Sequence, residues 1–129
     1  MSRFCLAFKT IFNKGSENKT LIFDEIDSGI GGNTGSEVGK KIAKISKNSQ
    51  VICITHLAQI ASFADKHFRI LKSEIDNKTI TSISCLTDIA LTEEISRMIG
   101  SIYNNNFACM HSKELLNEAE NYKLSLLGA

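Results

Sequence analysis

The residues able to do chemistry in this chain fall in two short stretches. Asp24 and Glu25 stand side by side after the apolar run Leu21-Ile22-Phe23, Asp27 follows, and the glycine-rich stretch Ser28-Gly29-Ile30-Gly31-Gly32 comes next. His56 sits after a second apolar run, Val51-Ile52-Cys53-Ile54-Thr55. Adjacent carboxylates at the end of a buried strand are costly to desolvate, so a cation, a donor or solvent must face them. Phosphoryl transfer to water uses such a pair. The first carboxylate holds a Mg2+ ion that bridges nucleotide phosphates, and its neighbour orients the attacking water. On that reading Asp24 is the metal ligand and Glu25 activates the water.

These residues need elements that bring them together. Thr20 to Phe23 and Val51 to Thr55 are short apolar runs of the buried-strand type. Between them, Thr34 to Ser46 places Val38, Ile42 and Ile45 on one side of a helical wheel and Lys40, Lys41 and Lys44 on the other. Strand, helix and strand in that order predict a parallel βαβ unit, in which ligands sit beyond the carboxyl ends of the strands. If the two strands are neighbours, Asp24, Glu25 and His56 share one edge.

The rest of the chain frames this unit. Ser2 to Phe12 has helical apolar spacing, and residues 13–19 form a polar turn. Leu57 to Ala64 is a short helix, and Phe68 to Lys72 and Thr79 to Leu86 are strand-like with Asp76-Asn77 as a hairpin turn between them. Thr92-Glu93-Glu94 caps a helix that carries Ile95, Met98 and Ile99 and ends at Gly100. Phe107 to Tyr122 forms another, with Leu115 and Leu116 inward. The fold class expected is α/β, a parallel βαβ core with an antiparallel hairpin and C-terminal helices, as a single domain over residues 1–129.

Composition narrows the function classes. With 129 residues and 43% hydrophobic content, one core can be buried without staples. The 15 Lys and Arg residues against 14 Asp and Glu residues leave a formal net charge of +1, so no global basic excess marks an autonomous nucleic-acid binder. Cys5, Cys53, Cys85 and Cys109 are scattered with no C-x-x-C pair, which points to reduced, mostly core thiols in a cytoplasmic protein. No long apolar block suggests a membrane segment.

Each candidate has a plainer explanation. The acidic pair could be a strand running into a polar turn, with Asp24 capping the next segment; the apolar run before it and the glycines after it favour function. A lone histidine is more often a satisfied loop or core residue, but the place of His56 after a second buried strand reverses that preference. His67 and His111 lack such a setting and are taken as structural. The glycines lack the Gly-Lys-Ser/Thr ending of a phosphate loop and suit a flexible contact loop better. The lysines of the central helix suit a solvated face.

With those residues in view, LIFDEIDSGIGG at residues 21–32 resembles the Walker B strand and D-loop of the ABC-type ATPase heads of SMC-like proteins. VICITHLAQIASFADKHFRI at residues 51–70 resembles the strand carrying their H-loop histidine. FDEIDSGIGG, THLAQIA, HFRI, EEISRMIG and HSKELL together resemble, in the same order, the carboxy-terminal part of a DNA-repair branch of that family. The resemblance implies a partial ABC-type ATPase head acting in recombinational repair of DNA double-strand breaks. It implies that Asp24 binds Mg2+ directly or through water, that Glu25 polarises the hydrolytic water, and that His56 contacts the γ-phosphate of ATP. Asp27 and Gly29 would lie in the D-loop, at the pocket that two heads share when they sandwich ATP.

The departures from the family pattern are equally specific. Neither Gly-x-x-x-x-Gly-Lys-Ser/Thr nor a Ser-Gly-Gly-Glu signature occurs in these 129 residues, and no coiled coil is present. The opening MSRFCLAFK resembles the helix that follows the signature. The chain is therefore expected to supply half of an ATP site and to be inactive without an amino-terminal partner that carries the P-loop. The assembled heads would form a head-to-head dimer and meet DNA only through the assembly, with no membrane involved. The alternatives are a non-catalytic interaction module and an inactive remnant of a split or truncated gene.

Overall fold

The computed structural model describes residues 20–100 and 106–128. The helix expected at residues 2–12 and the turn at 13–19 lie outside the described residues.

The strands β1 (Thr20–Asp24) and β2 (Gln50–Ile54) flank the helix α1 (Gly32–Ser46). They pair in parallel, with Thr20 opposite Gln50 and Asp24 opposite Ile54, so both strands end at the same level. Side chains alternate between the two faces of the pair. Phe23 is buried on the α1 side, where Leu21, Val51 and Cys53 join it against Val38, Ile42, Ile45 and Ile60. Burying a side chain of this size contributes roughly 1.5–3 kcal/mol, and here it fixes β1 to the helix one residue before the acidic pair. The opposite face is apolar as well, but exposed: Ile22 by 60%, Ile52 by 47% and Ile54 by 52%. Continuous apolar runs belong to strands covered on both faces, and the described residues cover one.

The short helix α2 (Ala58–Ala61) follows β2 and packs on α1. A Cβ on Gly39 would lie 2.4 Å from a ring carbon of Phe63 and 3.0 Å from the Gln59 carbonyl oxygen, so α1 comes this close to α2 and the turn after it only because residue 39 is glycine. The strands β3 (His67–Ile75) and β4 (Lys78–Leu86) form the antiparallel hairpin. Asp76 and Asn77 turn it with φ of 50° and 58°, the two consecutive left-handed residues that a tight two-residue hairpin requires.

Two helices complete the described fold, α3 (Asp88–Met98) and α4 (Asn106–Leu127). α3 begins before the expected cap at Thr92. The Thr92 hydroxyl donates to the Asp88 carbonyl at 3.2 Å, a bond inside the helix, and the residue at the helix entrance is Thr87. Gly100, at φ +106°, ends the helix as expected and donates its amide to the Arg97 carbonyl. α4 runs beyond Tyr122 to Leu127. It joins the body through Ala119, which packs with Ala43 and Phe63, and through Leu115, which packs with Ala58 and Ile95.

The α/β class with a parallel pair, an antiparallel hairpin and carboxy-terminal helices is thus the architecture observed. The thiols are a correction: Cys53 is half-buried, but Cys85 and Cys109 are exposed. Cys85 sits opposite Phe68, whose side chain is also exposed, so an apolar strand pattern there does not mean a covered face. No helix among the described residues is long and apolar enough to cross a membrane.

Candidate functional site at the parallel strand ends

The common level of β1 and β2 brings the two chemical stretches together. β1 delivers Asp24 and Glu25 to the edge, and β2 delivers Thr55 and His56 beside them. Glu25 adopts φ 52°, a left-handed conformation that reverses the chain at the strand end. The turn is then closed by the Ser28 amide on the Glu25 carbonyl at 3.3 Å and the Ile30 amide on the Asp27 carbonyl at 3.0 Å, with Gly29 at φ 73°. Gly31 leads into α1 without a side-chain cap, and a Cβ at Gly29 or Gly31 would meet open space.

The three acids of this loop have different surroundings. Asp24 and Glu25 are exposed, and among the described residues neither side chain makes a hydrogen bond or ion pair. This corrects the premise that the pair is desolvated. The strand ends open to water, so both charges stay hydrated and the fold needs no cation to hold them. The buried acid is Asp27, whose side chain is 2% exposed. Its Oδ2 accepts the Thr55 hydroxyl at 2.5 Å and the His56 amide at 2.7 Å, and lies 3.0 Å from His56 Nδ1. The Leu57 amide donates to Thr55 Oγ1 at 3.1 Å, which fixes the hydroxyl in turn. Burial alone would push the Asp27 carboxyl up, but the Thr55 hydroxyl, the His56 amide, its own amide and the nearby imidazole outweigh it and hold the group below its ordinary range.

The resemblance put Asp27 in the D-loop, the stretch that would meet an opposing head. The structure turns its carboxylate inward and leaves Ser28 and Gly29 as the exposed part of that loop. His56 keeps its ring 76% exposed. Thr55 is the participant that sequence reasoning missed; its signal was a hydroxyl between the end of a buried strand and the histidine.

Among the described residues, no group of three or more His, Cys, Asp and Glu could hold a metal ion. Asp24 alone is no cage. It does fit the usual protein share of a Mg2+ site, one or two carboxylates with water and substrate phosphates filling the other positions.

Comparison with known proteins gives this edge a family setting. No protein-family model matches the chain. It is 41% identical over 95% of its length to the DNA repair protein RecN of Halalkalibacterium halodurans, and covers 22% of that protein. It is 40% identical over 95% of its length to RecN of Bacillus subtilis, covering 21% of it, and 40% identical over 90% to RecN of Treponema pallidum, covering 20% of it. The chain is RecN-like. The likeness is to a carboxy-terminal portion of RecN, and the chain spans about a fifth of the length of the curated relatives it matches. A solved chain from work on ATP-driven dimerization and DNA stimulated activation of SMC ATPases superposes on this RecN-like chain with a TM-score of 0.57. The superposition covers 77% of this chain and 59% of the other at 24% identity, a likeness of fold.

Proposed function

We propose that this chain supplies the hydrolytic side of an ATP site in a RecN-like ATPase that acts in recombinational repair of DNA double-strand breaks. The observation that carries the reading is the shared level of the two parallel strands, which sets Asp24 and Glu25 beside His56 at the edge where α/β sheets take their ligands. Asp24 is the Walker B metal ligand, Glu25 holds and polarises the attacking water, and His56 of the H-loop meets the γ-phosphate. When bound, Mg2+ supplies charge neutralisation at the phosphates. Gly29 belongs to the exposed D-loop that meets an opposing head in a head-to-head dimer, and DNA is engaged through that assembly.

The nucleotide-holding half comes from an amino-terminal RecN-like segment that carries the P-loop. The exposed apolar side chains of Ile52 and Ile54 support such a partner, because the remainder of an ATPase head would cover them. Without the amide cradle and lysine of a P-loop, Asp24 alone retains Mg-ATP poorly. Calorimetry of the 129-residue chain with Mg-ATP is expected to show weak or no binding. Micromolar binding would contradict the division of the site into halves. The second reading is a non-catalytic docking module, favoured by the open space around Gly29 and Gly31. It predicts no hydrolysis even with the P-loop segment present.

A further inference from the structure

The parallel ladder of β1 and β2 ends with Asp24 opposite Ile54. Glu25 and His56, the residues given the water and the phosphate, therefore both lie past the last backbone pair. Glu25 is exposed, with no side-chain hydrogen bond or ion pair among the described residues, and the His56 ring is 76% exposed. With both side chains in solvent, the backbone beneath them sets where they stand.

Among the described residues, one side chain hydrogen-bonds from the loop after β1 to the loop after β2 beyond that ladder. Asp27 Oδ2 accepts the Thr55 hydroxyl at 2.5 Å and the His56 amide at 2.7 Å, while the Leu57 amide donates to Thr55 Oγ1 at 3.1 Å. The Asp27 side chain is 2% exposed, so water competes poorly for these donors. In its own loop, the Glu25 carbonyl accepts the Ser28 amide at 3.3 Å and the Asp27 carbonyl accepts the Ile30 amide at 3.0 Å, which makes a closed turn of residues 25–30. Ile26, Ile30 and Leu57 pack against the core cluster and keep both loops on the body. Apolar packing has no direction, whereas hydrogen bonds fix distance and angle.

We propose that Asp27 and Thr55 are positioning residues that continue the tie between β1 and β2 beyond their ladder, and so set the spacing between Glu25 and His56. The hold on His56 acts through its backbone amide and does not depend on the protonation of the ring. Such spacing matters for a water attacking a phosphate, because a displacement of about 1 Å can cost a factor on the order of 10² in rate. The catalytic consequence rests on the proposed ATP site; the tie itself does not.

The test has two arms and uses two variants. Thr55→Val keeps the branched shape and removes the hydroxyl, and Thr55→Ser keeps the hydroxyl. In the first arm, amide hydrogen exchange of the 129-residue chain is read by NMR. In Thr55→Val the amides of His56 and Ile30 should exchange about tenfold faster while amides within α4 keep their rates, and Thr55→Ser should exchange as wild type does. Unchanged exchange at His56 in a folded Thr55→Val chain overturns the proposal, and so does equal acceleration throughout the chain. In the second arm, the chain is mixed with the P-loop segment. Thr55→Val should lower kcat roughly 10–100-fold with KM within about twofold of wild type, and Thr55→Ser should restore kcat. An unchanged kcat beside faster exchange overturns the positioning role. A wild-type mixture that hydrolyses nothing removes the ATP reading, and the exchange pattern then upholds or overturns the tie by itself.

Discussion

Two buried carboxylates, held by opposite means, divide this molecule into a part that presents chemistry and a part that holds shape. Glu94 on α3, with a side chain 10% exposed, meets permanent cations: Arg97 at 2.6 Å and Arg69 at 3.6 Å. The contact to Arg69 ties α3 to β3, and the Arg97 contact, three residues along the same helix, pulls the Glu94 carboxyl below its ordinary range. Among the described residues, no arginine meets Asp27. Neutral donors and one histidine satisfy it, and that histidine has its ring in solvent. A carboxylate surrounded by guanidinium groups has its charge cancelled on the spot. One satisfied through a threonine and a histidine passes its influence outward, to a group that a ligand can reach.

Several substitutions test that contrast. The largest effect is expected in an assembled head: Glu25→Gln should slow ATP turnover roughly 10²–10⁴-fold while nucleotide stays bound, measured by phosphate release beside a filter-binding assay. Equal turnover would remove Glu25 from the site. Next, Glu94→Ala leaves Arg69 facing an empty partner position and should cost about 2–3 kcal/mol in urea unfolding. That lies below the range for a fully buried pair, because Arg97 is 65% exposed and regains water.

Asp27→Asn should cost less, about 1–2 kcal/mol, because its donors are the neutral Thr55 hydroxyl and His56 amide, from which an asparagine oxygen can still accept. Both acids also shape the acid limb of stability. Each has a folded pKa below its unfolded one, so the stability they contribute is complete above about pH 4–5 and is lost as pH falls through the folded value. Either variant should flatten that loss in denaturant titrations at pH 2–5. An unchanged acid limb would show that the carboxylate is not held as described.

The smallest effect concerns thiols. Burial, and secondarily the Asp27 charge, push Cys53 up to about 11, while Cys85 and Cys109 are exposed. Alkylation near neutral pH, followed by peptide mapping, should label Cys85 and Cys109 and spare Cys53. Asp27→Asn should leave Cys53 protected, because burial is the larger cause.

The elements around this contrast were unequally legible in the sequence. β1, β2 and the Asp76-Asn77 turn are written locally, as apolar runs and as two residues tolerant of left-handed geometry. The start of α3 was not, because Thr92 resembles a cap while its hydroxyl bonds backward within the helix. The extension of α4 past Tyr122 was hidden because Leu126 packs on the Ala43, Phe63 and Ala119 cluster while its neighbours Leu124 and Leu127 are exposed, too sparse a pattern to mark a helical face. At the site, Asp24, Glu25 and His56 could be proposed from type and spacing. The inward turn of Asp27 could not, since it depends on a contact with Thr55 that exists only once the parallel register is set.

The most direct test of the account is ATP hydrolysis by this chain alone and mixed with a P-loop-bearing amino-terminal segment of a RecN-like protein. The account predicts no turnover from either piece alone, turnover from the mixture, and its loss when the chain carries Glu25→Gln. Hydrolysis by the chain alone, or a mixture that forms a complex and turns over nothing, would contradict it.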